Sequence, residues 1–262
     1  MGIMTAAEPQ AEIKAQEESS NVSLLLRGAA IVGTAAAIVF FLFPEIDLKT
    51  SAFFYKGNGV FSGKAGGIFY GPSLTTPSDV IRMVLYVSFV GVCLLNAFGL
   101  VASIIRKRAV FGLKTGRWLF LGACLVIGPG IVGNVILKDH WGRARPVHLV
   151  EFGGSKTYSR PLVLSDQCAR NCSFVAGEAS MMYATFFAAA FLFPAMGRRL
   201  IIVGVFFGLL LGVVRISQGA HFLSDVIFAG VAMALTVAGF YLLFRAISRT
   251  AGNALPQWPG NV

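Results

Sequence analysis

Six apolar runs divide the chain, at residues 28–44, 83–105, 118–137, 179–195, 200–214 and 222–243. Each is near the roughly 20 residues that a helix needs to cross a hydrocarbon core. The fourth and fifth are short, which suits tilted helices or helices ending in a polar cavity. The pattern predicts an all-α polytopic membrane protein with six transmembrane helices. Gly128-Pro129-Gly130 predicts a kink in the third. Residues 1–22 are polar and acidic, lack the basic start of a signal peptide, and are predicted to form a disordered cytoplasmic tail. The first run, with Arg27 at its inner edge, then acts as its own start-transfer signal. Residues 46–82 carry Phe53, Phe54, Tyr55, Phe61, Phe69 and Tyr70. Such rings favour the membrane interface, so this loop is expected to lie on the membrane and lid one end, plain loop packing being the alternative. Residues 251–262 read as a flexible tail, leaving 23–250 as one membrane domain.

Composition agrees with the spans. The chain has 262 residues, 56% hydrophobic and 13% charged, against about 25% charged in soluble domains. Mean hydropathy is +0.73. The net charge of +10 is spread over short loops rather than one face, which speaks against nucleic acid as a partner. A positive-inside bias, with an anionic substrate or anionic lipids, accounts for it. Arg106, Lys107, Arg108, Lys114 and Arg117 crowd one loop, Arg198 and Arg199 another, and Arg245 and Arg249 end the last span. Six spans put both termini on that basic, cytoplasmic side. Residues 138–177 and 215–221 then face outward, bringing three polar segments to one face.

Those segments hold the chemistry. The third span ends in K-D-H-W-G-R-A-R-P, with Lys138, Arg143, Arg145 and Pro146. Asn171 to Ser180, N-C-S-F-V-A-G-E-A-S, leads into the fourth, and Gly177 at a helix start exposes N–H groups suited to an anion. Arg215 to Asp225, R-I-S-Q-G-A-H-F-L-S-D, joins the fifth and sixth. His221 and Asp225 are four apart, so on a helix they share a face. A carboxylate there can hold one imidazole nitrogen and leave the other as nucleophile or base. Lysine supplies a point charge and arginine a planar fork, so Lys138, Arg145 and Arg215 can enclose a tetrahedral dianion. Taken singly, each basic residue also fits a charged flank of a span. Cys93 and Cys124 fall within apolar runs and read as packing residues. Cys168 and Cys172 lie in a polar loop and can pair if that loop meets an oxidising compartment.

In this order and on six spans, the three motifs resemble the type 2 phosphatidic acid phosphatase superfamily of membrane lipid phosphatases. The resemblance implies an outward-facing site in a bacterial-type inner membrane, facing the periplasm. It implies that His221 attacks phosphorus to form a phosphohistidine, with Asp225 orienting the ring. Lys138, Arg145, Arg215 and the Gly177 amide would bind the phosphoryl oxygens, with no metal and no organic cofactor. The partners implied are a phosphorylated membrane lipid and the bilayer, with the oligomeric state left open. The glutamate in the second motif and the E-F-G-G stretch at residues 151–154 look more like the bacterial lipid A phosphatases.

Two departures stand out. The second motif usually reads Pro-Ser-Gly-His, and here it is Val175-Ala176-Gly177-Glu178; Val214 replaces the serine that commonly precedes the third-motif arginine. The histidine that would protonate the leaving group is therefore Glu178. Three resolutions follow: Glu178 is the acid in the loaded complex, His140 or His148 takes over, or the leaving group needs little help. The last would favour an anomeric phosphate or a pyrophosphate. Undecaprenyl pyrophosphate, phosphatidylglycerophosphate, phosphotransfer to another lipid and a catalytically silent lipid-binding protein are the competing readings. A transporter would carry ionisable groups at mid-depth, whereas here the acidic and basic groups cluster at the span ends, and the amides within the spans are Asn96 and Asn134.

Overall fold

The computed structural model describes residues 7–63 and 76–250. Within them the chain runs α1 (Ala7–Leu42), α2 (Glu45–Phe53), α3 (Pro77–Arg106), α4 (Thr115–Leu125), α5 (Gly177–Leu192), α6 (Gly197–Ser217) and α7 (Leu223–Thr250). Five stretches are long and apolar enough to cross a membrane: Glu12–Leu42, Pro77–Arg106, Thr115–Lys138, Pro194–Ser217 and Leu223–Ser248. They match five of the six expected spans. The sixth, α5, has only 16 residues; at 1.5 Å per residue it is about 24 Å long, short of a hydrocarbon core of about 30 Å.

Helix α1 starts far earlier than hydropathy suggests. Residues 7–22, expected as a disordered tail, are the first turns of α1. Buried polar side chains tie them down: Asn21 Nδ2 donates to the Ala190 carbonyl at 3.2 Å, and the Tyr241 hydroxyl donates to Glu18 at 2.9 Å. Residues 1–6 and 251–262 lie outside the described residues.

The third span is not simply kinked. Helix α4 passes into a π-helical stretch, Val126–Lys138, with Pro129 inside it. Proline supplies no N–H to a helical ladder, and the wider turn absorbs the missing bond. Asn134 Nδ2 donates to the Pro129 carbonyl at 2.8 Å, and this stretch delivers Lys138 to the bundle's end.

Helix α5 forms the centre, with eleven of its sixteen residues buried. It lies against α6 through Gly204 and Gly208, where an added Cβ would strike Phe186, Phe187 and Tyr183. Small residues let membrane helices approach closely when lipid offers no hydrophobic drive of its own. Helix α3, by contrast, is the least buried of the five long apolar helices, and at Gly99 it admits the Trp118 indole.

Contacts define two ends of the bundle. At one, Asn21 of α1 meets the end of α5, and Arg117 at the start of α4 donates to the Leu192 carbonyl. The opposite end gathers Asp47, Lys138, Gly177, Arg215 and Asp225. Residues 139–176 cover it with two short 3-10 turns, Pro146–His148 and Val150–Phe152. The aromatic loop lies on this end as well: Phe61 is buried with Leu149, Phe152 and Phe222, and the Gly63 N–H donates to the Ser217 carbonyl at 2.9 Å. Phe53 points outward, 83% exposed, as an interfacial ring would, while Phe69 and Tyr70 lie outside the described residues.

Candidate active site

The chain between α6 and α7 turns on Gly219, whose φ of +66° suits glycine, and the next residue but one is His221. The ring is 1% exposed. It sits ahead of α7 rather than on it, so the expected helical stacking over Asp225 is replaced by a capping turn. Asp225 Oδ2 accepts the Phe222 N–H at 2.8 Å and stands 3.7 Å from His221 Nδ1, too far for a hydrogen bond. The direct partner of Nδ1 is the Ser173 carbonyl at 2.7 Å. A carbonyl only accepts, so Nδ1 carries the proton and Nε2 keeps its lone pair. Ser173 links the two groups, since its hydroxyl donates to Asp225 Oδ2 at 2.5 Å. The expected orienting of the ring by Asp225 therefore runs through Ser173.

Burial pushes the His221 imidazole down to about 4, and the cations of Lys138 and Arg145 add to that against the pull of Asp225. The ring is neutral at physiological pH. Asp225 is itself fixed by Arg143, whose Nη1 donates to Oδ1 at 2.5 Å. Arg143 is wholly buried. It also donates to Ser224 Oγ at 2.8 Å and to Asp47 of α2 at 2.8 Å, beneath the Phe222 ring at 4.2 Å. Asp47 in turn accepts from the Ser224 N–H at 2.9 Å and hydroxyl at 2.6 Å. A buried ion pair persists where its remaining lone pairs and protons are satisfied, and this one joins α2, α7 and the 139–176 segment.

The expected phosphate ligands converge. Arg145 is gripped by Asn171, with Nε and Nη2 donating to its carbonyl at 3.1 and 2.8 Å and Nη2 to its Oδ1 at 2.7 Å. Arg215 Nη1 donates to Gln218 Oε1 at 2.6 Å. Lys138 Nζ donates to Asn134 Oδ1 at 3.4 Å. Gly177 opens α5 against them, and a Cβ there would stand 3.0 Å from Lys138 Nζ and 2.6 Å from Asn134 Oδ1. Only glycine fits. Cys168 and Cys172 form a disulfide, which closes the loop that carries Asn171.

Glu178 is engaged elsewhere than expected of an acid. Arg82 of α3 donates through Nε to both carboxylate oxygens, at 3.0 and 2.9 Å, and through Nη2 to Oε1 at 2.8 Å. Arg215 Nε lies 3.8 Å from Oε2. His140 is exposed, its Nδ1 against the Val135 carbonyl, and His148 is exposed on its short turn. Both stand at the surface rather than in the buried group around His221. Sequence reasoning missed Asp47, Arg82, Asn171 and Ser173. An aspartate flanked by two spans was the one available signal, for Asp47.

Residues 117–249 match the model of the PAP2 superfamily, and the chain belongs to that superfamily. Three relatives carry the name lipid A 4'-phosphatase. That of Francisella tularensis subsp. novicida is 35% identical over 215 residues, 79% of this chain and 90% of the relative. That of Rhizobium etli is 34% identical over 196 residues, 73% of this chain and 76% of its own. The Rhizobium leguminosarum protein is 32% identical over 197 residues, 74% and 84% of the two chains. No solved structure matches.

Proposed function

We propose that this protein is a metal-independent membrane phosphatase that removes a phosphomonoester from a lipid A-type glycolipid through a phosphohistidine on His221, its site facing the periplasm. The observation that carries the reading is the imidazole itself: buried, neutral, and fixed by the Ser173 carbonyl in the tautomer with a free Nε2. Nε2 attacks phosphorus, the bridging P–O bond breaks, and the leaving oxygen keeps the electron pair and takes a proton from water. Lys138, Arg145, Arg215 and the Gly177 N–H hold the other oxygens. Such placed positive charge supplies most of what phosphoryl transfer needs. Water then attacks the phosphohistidine, releasing inorganic phosphate and restoring the ring.

The names of the relatives point to the 4' position. That carbon is not anomeric, so its alkoxide is a poor leaving group. This reading therefore drops the preference for anomeric or pyrophosphate substrates. The test is phosphate release in detergent from lipid A phosphates and other lipid phosphates, with and without chelator, for wild type and His221→Ala. Chelator-resistant release, abolished in His221→Ala, is expected, with the 4'-phosphate preferred. Absence of release from every lipid would favour a silent lipid-binding protein instead.

A further inference from the structure

The first two turns of α3 are built into the phosphate site by two independent links. Arg82 grips Glu178 through three hydrogen bonds. Asp79 accepts from Gln218 Nε2 at 3.2 Å, and the other end of that same amide accepts from Arg215. Thr76 caps the helix, its hydroxyl accepting the Asp79 N–H, which sets the turn's direction. The least buried of the long apolar helices is thus bonded to the site by its opening residues.

We propose that Arg82 is a substrate-contacting cation that stabilises the departing oxygen, and that Glu178 is the positioning residue that holds it there. The inference rests on the phosphatase reading above. An in-line displacement puts the leaving oxygen opposite the attacking nitrogen. His221 lies at the floor, with a side chain 2% exposed. Arg215 is 6% exposed, whereas Arg82 is 25% and Glu178 18%, so this pair forms the outer rim. A leaving group pushed away from the floor travels towards Arg82. A carboxylate accepting three charge-assisted hydrogen bonds is an anchor for a guanidinium and a poor proton donor. Arginine stays protonated throughout, so it meets the growing negative charge with hydrogen bonds while water supplies the proton.

The experiment compares Arg82→Gln, Glu178→Gln, the double variant and Arg82→Lys on two substrate types: the lipid phosphate and an aryl phosphate, whose phenolate leaves readily. Melting temperature in detergent checks the fold of each. Both single variants should lose at least about tenfold in kcat on the lipid ester and far less on the aryl ester, the double should lose no more than the worse single, and Arg82→Lys should retain part of the rate. The alkaline limb of the rate profile should be the same in Glu178→Gln as in wild type. Loss in Glu178→Gln alone, with a shifted alkaline limb and Arg82→Gln near wild type, would make Glu178 the acid and overturn the proposal. Equal loss on both esters, or wild-type rates in both singles, would overturn it too. If unfolding accounts for a loss, the exchange Arg82→Glu with Glu178→Arg decides: the fold should recover without lipid turnover, whereas recovery of both would leave the pair merely structural and overturn the proposal. Failure of the phosphatase reading would appear separately, as a wild type inactive on every phosphate.

Discussion

At the scale of single residues, the state of His221 follows from what surrounds it. Its folded value of about 4 lies below the ordinary imidazole value of about 6.5. The unfolded chain therefore binds this proton more readily. The group's contribution to stability is fully present above about pH 6.5 and is lost as pH falls from there through 4. Titration of the ring by NMR, with the imidazoles isotopically labelled, should give a midpoint near 4; a midpoint near 6.5 would mean that water reaches the ring. Lys138, Arg145, Arg215, His221 and Asp225 were legible from the chain because their types and spacings repeat a familiar order. Ser173 was not, because its carbonyl and hydroxyl act on groups 48 and 52 residues away. Arg82 was hidden for the same reason, its partner standing 96 residues on. A spacing rule sees neighbours along the chain, and these are neighbours only in space.

At the scale of elements, the site hangs on segments that hydropathy marks only as gaps. The loop closed by Cys168 and Cys172 presents Asn171 to Arg145, and Ser173, immediately after it, to His221 and Asp225. A bridge over so short a loop adds only about 2 kcal/mol of stability by chain entropy, so its larger effect should be on placement. Reduction, or Cys168→Ser with Cys172→Ser, is expected to lower kcat/KM about tenfold while moving the melting temperature only a few degrees. Unchanged turnover after verified reduction would mean that Asn171 and Ser173 keep their places unaided. The helices were legible where they face lipid. The start of α1 was not, because Glu18 and Asn21 are polar yet buried, and a polar run reads as a tail until its partners on α5 and α7 are known. Pro129 announced an irregularity, but a wide helical stretch rather than a bend was the outcome.

For the whole molecule, the contacts separate a basic end from the site end. Arg106, Lys107, Arg108 and Lys114 surround the short link between α3 and α4, at the end away from His221. With the site facing the periplasm, as proposed, that end would lie in the cytoplasm, in keeping with the positive-inside rule. A fluorescent protein fused after α7 should therefore glow, and a cysteine introduced at Leu164, which is 70% exposed, should react with an impermeant thiol reagent in cells once the outer barrier is permeabilised. The opposite labelling would invert the assignment.

The shortness of α5 has a consequence for how a lipid reaches the site. Its opening residue, Gly177, belongs to the proposed phosphate cradle, and the helix falls about 6 Å short of a full hydrocarbon crossing. The deficit makes room for a cradle sunk below the level at which a headgroup ordinarily rests. A glycolipid could then lower its phosphate into the protein while its acyl chains stay immersed. Lifting those chains into water would cost about 0.8 kcal/mol for every methylene exposed, and a recessed floor avoids that climb.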